Sequence, residues 1–214
     1  KTDMYGLIFY KCLHDKIIST RLGLMATEQT SEKVDENPVQ STMNETANLN
    51  MTDTENSAEF LEFQEKVKDA NINDQTLLAT DYLNHFNEIV MTLEMVPDMP
   101  ELLDEAKAWA PKSYPDHFRD STFSDKELAI DAYEHSPARY KQPFEKTVST
   151  IDKLIAVTIE RAEEVMGTGD ADQLRLMVSD STRTIQTLMD RAGASINGSL
   201  VTMDQTEIDD LLNR

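Results

Sequence analysis

Cysteine is almost missing. Cys12 is the single one in 214 residues, so no disulfide framework can hold the chain, and a reducing compartment suits it. Basic residues are half as numerous as acidic ones, 20 Lys+Arg against 40 Asp+Glu, for a net charge of −20. That balance speaks against nucleic acid or an anionic membrane surface as a partner, because both require clustered positive charge. Long apolar runs are lacking, and nothing approaches the roughly eighteen residues of a membrane span. Glycine is scarce at six residues, and none of them builds a phosphate-cradling loop. Runs that alternate with a strand's period of two are absent as well. The apolar share of 39% lies below the globular average of about 45–50%, as expected if part of the chain is unstructured. A water-soluble, cytoplasmic, all-helical protein is the resulting expectation.

What is present is divided unevenly. Residues 1–24 carry four basic and two acidic residues and the only cysteine, whereas residues 25–214 carry −22. The chain starts with Lys1, and Met25-Ala26-Thr27-Glu28 would serve as a native start, so residues 1–24 read as an extension. Residues 25–56 are rich in Thr, Glu, Asn, Ser and Gln, with few large apolar side chains. Such a segment cannot bury enough surface to offset its ordering entropy, and disorder is expected there.

Helical periodicity begins at Ser57. Phe60, Leu61, Phe63 and Val67 mark a first helix ending near Asn71, and Asp74 caps a second in which Leu77, Leu78, Tyr82, Phe86, Ile89 and Leu93 recur up to Val96. Pro97-Asp98-Met99-Pro100 breaks the pattern, and Asp98 with Glu101 caps a short third helix ending near Trp109. Residues 110–123 are expected as a loop whose aromatics, Tyr114, His117 and Phe118, pin it to the helices. A fourth helix opens at Ser124. A long fifth starts at Ser136-Pro137, with Pro143 as a potential kink, and ends at Gly167-Thr168-Gly169. Asp170 or Asp172 opens a sixth that runs to about Ala194. The long helices suit an antiparallel bundle over residues 57–196, which could also pair with a second copy as a homodimer. A tether, 197–203, follows.

The final segment, 204–214, is the most specific feature. Asp204 is a good N-cap and Glu207 completes an acidic capping box. Ile208, Leu211 and Leu212 then fall at i, i+3 and i+4, one narrow apolar stripe. A helix this short is not stable alone in water, so it docks on its own domain or on a partner's groove. Gln205-x-Glu207-Ile208-Asp209-x-Leu211-Leu212-Asn213 resembles the N-terminal peptide of the flagellar switch protein FliM. In position it is similar to the extreme C-terminus of the chemotaxis phosphatase CheZ. The resemblance covers about ten residues and implies a CheY-like response regulator as partner. Ile208, Leu211 and Leu212 would fill the receiver's groove, while Gln205, Glu207, Asp209 and Asn213 would supply hydrogen bonds and charge. It implies no cofactor in this chain, Mg being needed only by the receiver.

Catalysis has weaker signals. CheZ uses an Asp-x-x-x-Gln pair on one helix to orient water, whereas the nearest pair here, Asp180 and Gln186, is six apart and so about 120° apart around a helix. A second phosphatase family acting on CheY uses Glu-x-x-Asn. Asp81-Tyr82-Leu83-Asn84 resembles that pattern with Asp for Glu, which makes Asp81 and Asn84 the candidate catalytic pair. None of His14, His85, His117 and His135 has Glu three residues before it, so a di-iron carboxylate bundle is not indicated. Three functions stand: a receiver-docking signalling protein, a CheZ-like phosphatase, and a structural helical protein whose last helix packs on itself.

Overall fold

The computed structural model describes residues 57–200 and 206–208, all within one compact unit spanning Met43–Arg214. The extension 1–24, the acidic segment 25–56, part of the tether and most of the terminal segment lie outside the described residues. Every regular element among the described residues is helical. The all-α expectation is therefore met, and no described helix is long and apolar enough to cross a membrane.

Over residues 57–200 seven α-helices follow one another: α1 (Ala58–Lys66), α2 (Asn84–Met95), α3 (Leu102–Ala108), α4 (Tyr114–Asp120), α5 (Lys126–Glu134), α6 (Ala138–Thr168) and α7 (Ala171–Ile196), with a 3-10 turn at Thr80–Leu83 before α2. The frame is the α6–α7 hairpin, the most extensive helix–helix contact of the bundle. Its turn is set by sequence. Gly169 sits at φ +77°, the left-handed conformation that ends a helix, and the Asp170 carboxylate accepts from the Gln173 N–H to start the next. Both helices are amphipathic. Ile151, Leu154, Ile155 and Ala162 of α6 are buried, as are Leu174, Val178, Ile185, Leu188 and Ala192 of α7. The threonines on these buried faces, Thr150, Thr158 and Thr182, each donate to a carbonyl of their own helix, so no hydroxyl is left unsatisfied in the core.

α2 packs on α7 and on α3, and α3 packs on α6. α4 and α5 pair with each other, and α4 also touches the 3-10 turn. Pro143 lies inside α6 without dividing it. It falls in the second turn, and the carbonyl of Pro143 still accepts from the Thr147 hydroxyl at 2.9 Å.

α1 ends at Lys66, short of the expected end near Asn71, and two further expectations on element bounds are corrected. The second helix does not begin at Asp74, because Asn73 Oδ1 accepts from the N–H of both Gln75 and Thr76 and closes a tight turn. Leu77 then adopts φ +58°, and Leu77, Leu78 and Ala79 are all buried in succession, which no single helix face allows. Thr76 anchors the turn by donating to the Ile196 carbonyl at 2.6 Å and accepting, through its own carbonyl, from Ser136 at 2.7 Å. The second correction concerns 110–123. It contains a helix, α4, because Ser113 accepts from the Asp116 N–H and Pro115 stands in the first turn.

Candidate functional site

Three places are candidates, beginning with the terminal segment. Asn197 caps α7, and Gly198 at φ +87° turns the chain. A Cβ at Gly198 would lie 2.7 Å from Gln75 Oε1 and push that side-chain end aside, while the positive φ itself strains any residue but glycine. Thr206–Ile208 is helical. Ile208 is 6% exposed and joins the hydrophobic core, while Glu207 lies 3.6 Å from the Arg191 guanidinium of α7. The body thus already holds Ile208, the apolar residue that the docking motif places first. Gln205, Asp209, Leu211, Leu212 and Asn213 lie outside the described residues.

The second place is Asp81 and Asn84. Asp81 belongs to the 3-10 turn and Asn84 opens α2. Residues three apart eclipse on a 3-10 turn, so the two share a side. Asp81 Oδ2 accepts from Asn71 Nδ2 at 2.6 Å, and Asn84 Oδ1 accepts from Asn87 Nδ2 at 3.4 Å. Both side chains are engaged with amides of their own surroundings.

The third is an aromatic end of the bundle that periodicity alone does not reveal. Tyr82 is its hub, within 5.3–5.6 Å, ring centre to ring centre, of Phe86, Tyr114, His117 and Phe144. Tyr114 stacks on Tyr133 at 4.5 Å, and His85 on Trp109 at 4.7 Å. Hydroxyls tie these rings to the backbone. Tyr114 Oη accepts from the Ala79 N–H at 2.8 Å, and Tyr82 Oη donates to the Lys112 carbonyl at 2.8 Å. Burial holds the His85 imidazole at about 4, with His117 and Lys112 adding to the depression and a backbone bond to Ala110 opposing it. His85 is therefore neutral at pH 7.

Beside this hub a cleft of about 220 Å³ opens between α6 and the segment leading into α4. Phe144, Glu145, Val148, Ser149 and Asp152 line it from α6, one side of the helix at i, i+1, i+4, i+5 and i+8. Tyr82, Pro111, Lys112, Ser113, Tyr114 and Tyr133 line it opposite. Asp152 is unusual there. Its Oδ1 is buried and has no hydrogen-bond partner among the described residues, and burial pushes its carboxyl up to about 6. The Asp152 carboxylate in turn adds to the burial that raises the Tyr82 phenol. Sequence reading passed over Asp152, although an aspartate four residues after Val148 and one after Ile151 breaks the apolar stripe of the fifth helix. That break was the available signal.

Compared with known protein families, characterised proteins and solved structures, the chain matches none of them.

Proposed function

We propose that the chain is an interaction protein of chemotaxis or flagellar signalling that captures a CheY-like response regulator, preferentially phosphorylated, through its C-terminal helix. The observation that carries the reading is the pattern Gln205-x-Glu207-Ile208-Asp209-x-Leu211-Leu212-Asn213, within which Thr206–Ile208 is helical. Ile208 is buried against its own body, as in a terminal helix that packs on itself, so docking requires its release into the partner's groove. The contacts of the described residues of this segment are modest. Burying one isoleucine contributes about 1.5–3 kcal/mol, and a partly exposed ion pair such as Glu207–Arg191 adds at most about 1 kcal/mol. A receiver groove would take Ile208, Leu211 and Leu212 together. The acidic residues Glu207, Asp209 and Asp210 favour a groove with a basic rim. Such a partner would place the chain in the cytoplasm.

Catalysis is not part of this proposal, since Asp81 is committed to Asn71. Titrating a peptide of residues 203–214 against CheY, with and without a phosphoryl mimic, tests the docking. Saturable binding that tightens with the mimic is expected, and no binding at hundreds of micromolar would overturn it. Comparing CheY dephosphorylation by the full chain and by a chain ending at Ser199 separates docking from a CheZ-like phosphatase. Docking alone leaves the rate unchanged in both.

A further inference from the structure

The cleft beside Asp152 is independent of the terminal segment, and its polar inventory is one-sided. Two of the phenol hydrogens on its wall are spent, Tyr82 Oη on the Lys112 carbonyl at 2.8 Å and Tyr133 Oη on Glu145 Oε1 at 2.6 Å, while Tyr114 Oη accepts from the Ala79 N–H. The one cation on its wall, Lys112, turns its ammonium to Asp120 at 2.9 Å. The Ser113 hydroxyl is taken by Asp116 at 2.6 Å. Beyond the neutral hydroxyls of Tyr114 and Ser149, what remains is acceptor capacity. Glu145 accepts the Tyr133 phenol, and Asp152 carries a buried oxygen with no donor among the described residues.

An anion entering here would meet two carboxyl groups and, as donors, only neutral hydroxyls such as those of Tyr114 and Ser149, its one ammonium, Lys112, being paired with Asp120. A neutral apolar molecule would leave the Asp152 oxygen as costly as before, since a buried acceptor without a donor costs about 1–3 kcal/mol. A molecule that brings both positive charge and N–H donors removes that cost and completes a charge-assisted hydrogen bond. The remaining walls, Phe144, Val148, Pro111 and the edges of Tyr82, Tyr114 and Tyr133, suit a short carbon stem. A volume of about 220 Å³ falls below the roughly 300–1,000 Å³ of drug-sized sites, which limits the occupant to a small molecule.

We propose that this cleft is a binding site for a small organic cation, a primary ammonium or guanidinium on a short apolar stem, with Asp152 as its counter-charge and Glu145 at the mouth. Asp152 supplies the charge-assisted contact. Val148 and Phe144 cover the stem, and Ser149, exposed at the rim, marks the entrance.

The test is a titration of the full chain, followed by amide chemical shifts, with n-butylammonium, n-butylguanidinium, n-butanol and butyrate as probes. The two cations are expected to shift the amides around Tyr133, Ser149 and Asp152 saturably, while butanol and butyrate leave them in place. Asp152→Asn keeps the side chain's shape and is expected to weaken cation binding at least about tenfold, the equivalent of 1.4 kcal/mol. Ser149→Trp fills the entrance from an exposed position and is expected to abolish it with the helical spectrum unchanged. Butanol shifting the same amides as strongly as the ammonium, an Asp152→Asn chain that binds the cations as well as the parent, or absence of saturation by any cation would each overturn the proposal.

Discussion

The α6–α7 hairpin and the aromatic end of the bundle solve burial by different rules. The hairpin buries aliphatic side chains at helical spacing, and its buried threonines are satisfied within each helix, as Thr150 and Thr158 show by bonding back to Lys146 and Leu154. The aromatic end buries rings from four separate stretches, around Tyr82, Tyr114, Tyr133 and Phe144. It satisfies them by reaching across the fold, Tyr114 to Ala79 and Tyr82 to Lys112. The first arrangement tolerates small shifts because dispersion and the hydrophobic effect are non-directional. The second depends on direction, because a hydrogen bond weakens steeply when misaligned. Groups whose protonation is displaced chiefly by burial, His85, His117 and Asp152 among them, lie in or beside the second.

That contrast can be broken or sharpened by measurement. The largest effect is expected in the hairpin, where Ile155→Ala removes a fully buried side chain and should cost about 3 kcal/mol in urea unfolding. A cost below about 1 kcal/mol would move the structural weight elsewhere.

The next is acid sensitivity at the aromatic end. His85 is 7% exposed and held at about 4, below the roughly 6.5 of an unfolded chain. Below pH 6.5 the unfolded state therefore binds the extra proton first. The contribution of neutral His85 is fully present above 6.5 and is lost as pH falls toward 4. The loss should be about 2 kcal/mol, and His85→Gln should flatten that part of the stability profile. An unchanged profile would show that another group governs it.

Tyr114→Phe leaves the Ala79 N–H without its acceptor and should cost about 1–2 kcal/mol. A larger cost than for Ile155→Ala would reverse the comparison.

Asp152 runs opposite in sign. Its folded value of about 6 exceeds the unfolded value near 3.9, so its favourable contribution is complete at low pH and is lost as pH rises through that window. Asp152→Asn is expected to stabilise the chain by about 1 kcal/mol at pH 7, a figure reduced for partial solvent screening. A destabilised variant would mean that the carboxylate has a structural partner.

The smallest effect belongs to the surface. The Asp98–Arg175 pair, 2.7 Å between exposed groups, is screened by solvent, so Arg175→Ala should leave the urea midpoint almost where it was, and a clear drop would show that the pair carries structural weight.

Much of this fold is legible in the chain and much of the site is not. The fifth and sixth helices, the Gly169-Asp170 turn between them and the stop at Asn197-Gly198 follow from periodicity and capping, because those signals act within a few residues. The start of the second helix does not. Leu77 and Leu78 fit a helical stripe on paper, yet Asn73 closes a turn and Thr76 reaches Ile196, 120 residues away. The segment 110–123 has too few residues for its helix to announce itself, and only packing against α5 and the 3-10 turn sustains α4.

By itself the sequence determined the helical class, the hairpin's two inward faces and a terminal segment with the pattern of a docking peptide, because capping, periodicity and composition are local properties. Only the tertiary structure decided that Ile208 is buried against its own body, that Tyr82, Tyr114 and Tyr133 meet, and that Asp152 faces a cleft without a donor. Those are statements about residues far apart in the chain. Their energies exist only once loop closure has brought them together, and no local pattern encodes which acceptor will then lack a partner.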